Sequence, residues 1–436
     1  MKKLSAVFFI TIFTFILTES IYAQKVITLQ EAISLAQDNN SDLENAKLDL
    51  LIAKTQVSQA YSENLIPDIK LNSTYTRAFK KPVFNIFGQN ITIGTDNTIS
   101  NKITVEEPIP ILGTPVFQGI RIAEYYERLN EETVNSVEAS VKQEVTEAYL
   151  NVLFAKEVLE VNLESMDNAS ENYQVVEAQY KGGVATEFDY LRAKVNMENI
   201  APSIDAAETN LEVSKLNLQQ LMGMDETQPI EVVGKLTYDS VEVYGSTDSL
   251  VNSIVSNNVA IRQLKISQKI NDELVSVQEK SYLPNLAVFG LYELTANEDD
   301  GVKLSDYRFF NTLSAGISLT WDLNLFRNSY EVEIKELQAR QNYETIEDTK
   351  RKLRTQAYSV ILNMNDAKKR IISQKENIML AERSLQLANY SFKDGVATQI
   401  DVLNSELTLS QTKLNYLQAI YDYLIAKSQL EELLAK

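Results

Sequence analysis

The 436-residue chain contains no cysteine and no histidine, and each absence excludes a class of chemistry. Without cysteine, no disulfide can stabilise an exported chain, so packing alone must do so. Zinc sites built on His or Cys are excluded, and so are catalytic triads built on His. Carboxylates remain available for acid–base work, but no pocket motif accompanies them. We therefore expect no catalytic residue, no metal site and no cofactor.

Positive charge is also scarce. The chain has 41 Lys and Arg against 60 Asp and Glu, a formal net charge of −19. Such a chain repels nucleic acid and shows no basic patch for phosphate, so we expect no nucleic-acid partner. The usual consequence of net acidity is solubility.

Long apolar runs are confined to the N-terminus. Lys2 and Lys3 precede an apolar run at 4–17, and the small-residue cleavage site at 21–23 follows. This pattern predicts a secretory signal peptide at residues 1–23, and the alternative is an uncleaved N-terminal anchor. Beyond it, no apolar run is long enough for a membrane-spanning helix, so only strands could cross a membrane.

Glycine and proline are few and unevenly placed. Between Gly119 and Gly182 lie 62 residues with neither, and between Gly316 and Gly395 lie 78. A helix of ~60 residues is ~90 Å long and needs partners along its length. Apolar residues spaced by three and four predict heptad-like packing in a coiled coil or helical barrel. In the first half these are Val134, Val137, Val141, Val145, Ala148, Val152, Ala155 and Leu159, and in the second half they include Leu403, Leu407, Leu414 and Leu417.

A turn motif occurs twice, 212 residues apart. Residues 180–191 and 392–403 share the pattern aromatic-Lys-x-Gly-Val-Ala-Thr-x-x-Asp-x-Leu. Each copy follows one of the long helical stretches. The chain is therefore predicted to be an internal duplication.

Each half also contains two candidate strands in which apolar and polar residues alternate. The predicted strands are about 68–79, 98–108, 284–295 and 309–323. Pro67 and Pro284 fit the junction between a helix and the first strand of each half. Alternation over about ten residues is typical of a transmembrane barrel, and equally of a soluble sheet with one wet face. Aromatic residues near the strand ends, and long polar connections between the paired strands, favour the barrel.

The number of strands bears on the oligomeric state. Four strands cannot close a barrel, so the sheet edges would have to pair between subunits. Two copies would supply about eight strands and three copies about twelve, and the sequence does not choose between them.

The predicted organisation is a signal peptide at 1–23, a first repeat at 24–222, a linker at 223–247 and a second repeat at 248–436. Each repeat is predicted to run helix, strand, strand, long helix, turn, helix. The turns lie at 182–186 and 394–398. The linker carries a short strand candidate at 230–233.

These features together resemble the TolC-like outer-membrane efflux family, over essentially the whole mature chain. The segment 29–36, followed by Asn39-Asn40, is similar to that family's opening helix. The resemblance implies a mixed α and β fold, internally duplicated. It implies a homotrimer with a 12-stranded outer-membrane β-barrel, continued by a long periplasmic α-helical barrel.

The same resemblance implies a function. Members are passive outer-membrane channels of tripartite efflux or type I secretion systems. The implied partners are a periplasmic adaptor (membrane fusion) protein, an inner-membrane RND or ABC pump that supplies the energy, and outer-membrane lipid. The implied location is the outer membrane, with a large periplasmic portion. Neither the cargo nor the pump type follows from the sequence.

Family roles can be placed on the matching turn residues. The implied adaptor-docking turns are Gly183, Val184, Ala185, Thr186 and Gly395, Val396, Ala397, Thr398. Glycine is expected because the chain leaves a helix through a conformation that other residues disfavour. The two threonines are expected to cap the next helix by accepting early N–H groups, and capping could be their whole role.

A candidate tunnel gate follows the second turn. Asp401 matches the family's acidic ring, where three copies around one axis would favour cations. Asn404 stands where better-known members have a second acid, and Ala397 stands where they have a gating Arg. We therefore expect neither a two-ring gate nor an Arg-based lock. The alternative for Asp401, as for Asp189, is an acid that only stabilises a helix N-terminus.

Two other function classes compete with an outer-membrane channel. A structural periplasmic or surface coiled-coil protein explains the heptads and the acidity. It does not explain the recurring turns or the alternating strands. An enzyme has no supporting motif, so we expect none.

Overall fold

The computed structural model describes residues 25–111, 113–239 and 246–434. The predicted signal peptide and residues 240–245 of the predicted linker lie outside the described residues. The strands are β1 Lys25–Ile27, β2 Asp68–Arg77, β3 Val83–Ile86, β4 Gln89–Thr92, β5 Asn97–Pro108, β6 Ile230–Val232, β7 Asn285–Glu298 and β8 Phe309–Thr320. The helices are α1 Leu29–Asn39, α2 Ser41–Leu65, α3 Val116–Lys181, α4 Glu187–Glu198, α5 Ala201–Leu221, α6 Thr247–Asn257, α7 Val259–Glu279, α8 Leu325–Lys393 and α9 Gln399–Leu433.

The predicted mixture of helices and strands is confirmed, and the element order repeats. The first half runs α2, β2, β5, α3, turn, α4, and the second runs α7, β7, β8, α8, turn, α9. Helix α3 has 66 residues and α8 has 69, so each is ~100 Å long at ~1.5 Å per residue. Among the described residues, no helix is both long enough and apolar enough to cross a membrane.

The long helices begin where the sequence supplies a start signal. Helix α3 begins directly after Pro115, whose carbonyl accepts the N–H of Gly119 at 2.9 Å. Proline fits this position because its missing N–H has no partner in the first helical turn anyway. Before α8, the Asp322 carboxylate accepts the backbone N–H of Asn324 at 3.0 Å.

The heptad pattern is confirmed in α3 and fails at one position in α9. Five of the α3 residues are buried: Val141, Val145, Ala148, Val152 and Ala155. In α9, Leu417 is buried, but Leu407 is 69% exposed. Val402 and Leu409 are buried there instead. The residues that pack α9 are therefore shifted from the simple seam that the sequence suggested.

The four long strands form one antiparallel sheet in the order β2-β5-β7-β8. The central pair, β5 and β7, joins the two halves of the sequence, with Ile103 opposite Tyr292. Strand β8 ends at Thr320, so Trp321 lies beyond it, and its indole N–H donates to the Tyr282 carbonyl at 3.1 Å. Strands β2 and β8 are the two edges of this sheet.

The two faces of this sheet have opposite character. The register puts nine large apolar side chains on one face, all of them well exposed in the protomer: Ile69, Leu71, Tyr75, Ile103, Val288, Tyr292, Leu313, Ile317 and Leu319. The other face is mostly polar and forms cross-strand hydrogen bonds, such as Ser100 to Glu293 at 2.8 Å and Thr98 to Asn297 at 2.9 Å. Alternation in the sequence has thus produced a sheet with one apolar and one polar face.

The described residues also form two small sheets of two strands each, β1–β6 and β3–β4. The linker strand predicted at 230–233 is present as β6, and it pairs in parallel with β1, which the sequence did not reveal. The connection between β2 and β5, predicted to be a loop, contains the hairpin β3–β4. The hairpin turns at Phe87 and Gly88, which both have positive φ.

The chain divides into two compact units, and each draws on both sequence repeats. The first contains residues 25–39, Val145–Thr237 and Ser373–Tyr421. Its small sheet is buried at Ile27, Ile230 and Val232, and the single O–H of Tyr149 is shared between the Ile27 carbonyl at 3.2 Å and the Val233 carbonyl.

The second unit contains Asn40–Glu144, Tyr238–Ile372 and residues 422–434. It holds the four-stranded sheet. Its helices are joined by polar contacts, among them the two-pronged bond of Arg262 to Glu132 at 2.9 and 2.8 Å. The hydrogen bonds from the Arg262 guanidinium are the main reason why the pKa of Glu132 is lowered.

Candidate functional site

The first predicted turn ends α3 with a Schellman motif. Gly183 has φ +74°, in the left-handed region that favours glycine. Its N–H donates to the Tyr180 carbonyl at 3.0 Å, and the Val184 N–H donates to the Gln179 carbonyl at 2.8 Å. These two bonds satisfy carbonyls that the end of a helix leaves free. The turn is therefore built by backbone geometry that glycine supplies.

The second turn ends α8 in the same way. Gly395 has φ +72° and donates to the Phe392 carbonyl at 3.1 Å. The Val396 N–H donates to the Ser391 carbonyl at 2.8 Å. The shared sequence motif thus encodes one shared backbone structure, as the duplication predicted.

Both turns present an exposed valine. Val184 is 80% exposed and Val396 is 83% exposed. A Cβ placed on Gly183 or Gly395 would meet no atom within 4 Å. Both valine side chains therefore lie largely outside the packing of the protomer.

Each turn is followed by a threonine–aspartate pair at the start of the next helix. The Thr186 hydroxyl oxygen accepts the Asp189 N–H at 3.2 Å, and the Asp189 carboxylate accepts the Thr186 backbone N–H at 3.4 Å, which completes a capping box. Thr398 differs from the expectation, because its hydroxyl donates to Asp401 Oδ2 at 2.6 Å and its N–H donates to the same oxygen at 2.8 Å. The predicted role, a hydroxyl that accepts an early N–H, is therefore present at Thr186. At Thr398 the Asp401 N–H donates to the backbone carbonyl instead, and the two pairs share only the bonds from the threonine to the carboxylate.

The candidate gate residues lie on the exposed side of α9 within the protomer. The Thr398 hydroxyl, and then the Thr398 N–H, hold the pKa of Asp401 below its usual value. Asn404 is exposed, and its carbonyl accepts the Thr408 hydroxyl at 2.7 Å. Asp401 therefore stabilises the N-terminus of α9, which was the alternative to a gate role. Its side chain is exposed in the protomer, and the gate role stays a prediction.

The packing around the two turns differs. At the first turn, the rings of Tyr180 and Tyr190 stack with centroids 5.2 Å apart, and the Tyr173 and Tyr190 hydroxyls are 3.2 Å apart. The Tyr190 hydroxyl, and then burial, raise the pKa of Tyr173 to about 12. At the second turn the buried residues are aliphatic, namely Ala381, Leu385, Val402 and Leu409, and Phe392 packs against them.

Sequence reasoning missed one polar group at the second turn. Gln399, the first residue of α9, is 3% exposed, and its side-chain amide has no hydrogen-bond partner among the described residues. No periodicity in the sequence pointed to it, because its position next to Thr398 is ordinarily a solvent-facing one.

Comparison with known proteins decides the family. The family model described as outer membrane efflux protein matches residues 32–224 and 250–436, which include both turns and all four long strands. The chain belongs to the outer membrane efflux protein family. The predicted resemblance is therefore confirmed.

Individual members of the outer membrane efflux protein family are distant in sequence. The Outer membrane protein TolC of Vibrio cholerae is 21% identical over 292 residues, covering 66% of each chain. The Outer membrane protein TolC of Escherichia coli K12 is 21% identical over 417 residues, covering 93% of this chain and 82% of that one. The solved outer-membrane channel OprN shares the fold, with a TM-score of 0.80 at 15% identity, covering 93% of this chain and 89% of that chain.

Family membership carries the location and the general activity. This outer membrane efflux protein is an outer-membrane channel with a helical periplasmic portion, as predicted.

Proposed function

We propose that this protein is the trimeric exit duct of a tripartite export system. In this proposal three copies complete a 12-stranded barrel, and a periplasmic adaptor and an inner-membrane RND or ABC pump deliver the substrate. The observation that carries the proposal is the four-stranded sheet with one exposed apolar face and one polar face. An apolar face suits lipid, and a polar face suits a water-filled lumen.

The sheet edges support assembly from several copies. Strands β2 and β8 each have one side without a partner strand among the described residues, and β2 is exposed along its whole length. Unpaired backbone groups at membrane depth are costly, so the edges must pair with other copies if the sheet lies in lipid. Three copies of four strands give the twelve that the family resemblance implies.

We further propose that the two turns are the adaptor-docking ends. Their exposed valines at 184 and 396 support this role, because an adaptor hairpin would cover them. We retain Asp401 as the single acidic ring of the gate, with Asn404 beside it in the place of a second acid. We also propose that the two repeats occupy residues 24–222 and 248–436, with the linker at 223–247.

Single cysteines provide a test of orientation, because the chain has none of its own. Leu304 lies in the β7–β8 connection and is 67% exposed, and Val396 is 83% exposed. We expect a membrane-impermeant maleimide to label Leu304→Cys in intact cells, and to label Val396→Cys only after the outer membrane is permeabilised. Labelling of both in intact cells would indicate a surface coiled-coil protein, and labelling of neither would indicate a wholly periplasmic one. Either result would contradict the duct.

A further inference from the structure

A cavity of about 200 Å³ lies within the first compact unit, apart from both turns. Parts of α3, α9 and the junction between α4 and α5 line this cavity, which is partly open to solvent. Its polar lining consists largely of uncharged amides and hydroxyls: Asn162, Ser165, Asn168, Asn196, Ser203 and Ser410.

One wall of the cavity is a break that exists only in the first half of the molecule. Helix α4 ends at Glu198 and α5 begins at Ala201, whereas the corresponding helix α9 continues from Gln399 to Leu433. Pro202 explains the break, because proline lacks the N–H that a continuous helix needs and clashes with the preceding turn. The residues Asn196, Ile200 and Ser203 around this break line the cavity.

The opposite wall is held together by side-chain bonds between α3 and α9. The Ser165 hydroxyl and the Ser410 hydroxyl are 3.1 Å apart. Lys413 donates to both carboxylate oxygens of Glu164, at 2.7 Å each. The positive charge of Lys413 is therefore already matched by Glu164.

Glu406 is the remaining charged group of the lining, and it is half-buried. No lysine or arginine in the described part of the chain forms an ion pair with it. Burial raises the pKa of Glu406 to about 7, and the neighbouring Asn172 amide opposes the shift. A carboxylate in this position is short of a cation, because taking an unpaired charge out of water costs free energy.

We propose that this cavity binds a small organic cation, a primary ammonium with a short carbon chain, whose charge lies against Glu406. An ammonium has three N–H donors, and the amide and hydroxyl oxygens of the lining can accept those that Glu406 does not. The carbon chain would contact the apolar part of the lining, which includes Ile200, Leu403 and Leu407. Leu407 was predicted to pack between helices but is exposed in the protomer, and the carbon chain of the ligand would contact it.

The proposal is tested by ligand-observed NMR on the full mature chain in detergent. The probes are n-butylammonium and 1-butanol, which have nearly the same size and differ in charge. At about pH 8, we expect butylammonium to bind the wild type in the millimolar range and butanol to bind much more weakly. In Glu406→Gln, butylammonium binding should weaken by ~10-fold or more, because a charge-assisted hydrogen bond is lost.

A matched control and a pH series separate this effect from damage to the fold. Glu198→Gln removes an exposed carboxylate near the same break but outside the lining, and it should bind butylammonium like the wild type. With a pKa of about 7 at Glu406, lowering the pH from about 8 to about 5.5 should weaken wild-type binding by up to ~30-fold, as the ionised fraction falls. Glu164 and Lys413, the other titratable lining groups, are paired with each other, and the α4–α5 residues of the lining include no titratable group. Glu406→Gln should show no such pH dependence.

Several results would overturn the proposal. Equal binding by Glu406→Gln and wild type would do so, and so would equal binding of butanol and butylammonium. Absence of butylammonium binding at about pH 8, in protein with wild-type circular dichroism and elution volume, would also overturn it. Loss of binding in Asp401→Asn but not in Glu406→Gln would place the cation at the turn instead.

Discussion

Replacement of Gly395 by alanine separates the structural role of the second turn from a docking role. Gly395 has φ +72°, and an added Cβ would meet no atom within 4 Å. The cost to the protomer is therefore backbone strain alone, ~1–2 kcal/mol for an L-residue in the left-handed region. A loss of this size leaves most proteins folded, because typical unfolding free energies are ~5–15 kcal/mol.

Two other glycines provide matched controls for that substitution. Gly301, in the β7–β8 connection, has φ +97° and open space around an added Cβ, so Gly301→Ala should cost a similar amount. Gly223 has φ +63°, but its added Cβ would lie 2.7 Å from Asn39 Cβ and 2.9 Å from the Asn39 carbonyl oxygen. Gly223→Ala should therefore be much more destabilising than either.

The assays are thermal unfolding of the purified protein and export by cells that carry each variant. We expect Gly395→Ala and Gly301→Ala to unfold within a few degrees of each other, while only Gly395→Ala loses export. The reason is that a new methyl group at the docking turn would collide with the adaptor, whereas the same group at Gly301 meets solvent. Normal export by Gly395→Ala, with the modest loss of stability, would refute docking at this turn.

Three further changes test other parts of the account. Asp401→Asn should reduce the preference of the channel for cations over anions, measured as reversal potential in a salt gradient, and an unchanged potential would remove the gate role. Because the folded-state pKa of Asp401 is lowered by Thr398, their interaction stabilises the protein above the unfolded pKa of ~4 and is lost as pH falls through the folded value. Thr398→Val should thus lower the melting temperature at neutral pH and lose this effect in strong acid, and an equal deficit in strong acid would contradict that linkage. Tyr149→Phe should destabilise the fold by ~1 kcal/mol, because the Val233 carbonyl loses its hydroxyl donor while the Ile27 carbonyl still accepts the Val233 N–H; unchanged thermal unfolding would show that water replaces the hydroxyl.

The features that sequence predicted are those encoded locally. Long stretches free of glycine and proline became α3 and α8, because nothing within them interrupts the hydrogen-bond ladder. The glycine at each turn fixed a Schellman motif, since few other residues tolerate positive φ. Strict alternation over about ten residues produced the strands of the four-stranded sheet.

The features that sequence missed depend on distant parts of the chain. Strand β1 has three residues, and its partner β6 lies about two hundred residues away, so no local pattern marks the pairing. The hairpin β3–β4 lies where the sequence predicts a loop, because strands of four residues each are too short to show an alternating pattern. The environment of Glu406 required three helices and the break at Pro202 to be assembled first.

The two repeats share the backbone of the turns but differ in the side chains and helices around them. Both turns have the same backbone, yet tyrosines stack at the first turn, while a buried aliphatic cluster with Phe392 against it packs the second. The break between α4 and α5 has no counterpart in α9. Duplication has therefore preserved the backbone of the turns while the surrounding side chains diverged.

The central claim is that this protein is a trimeric membrane channel, and conductance tests it most directly. The mature chain, purified in detergent, should have the mass of three copies and should produce stepwise, cation-preferring conductance in planar lipid bilayers. The measured mass and the conductance must come from the same preparation. A monomer that does not conduct would contradict the account.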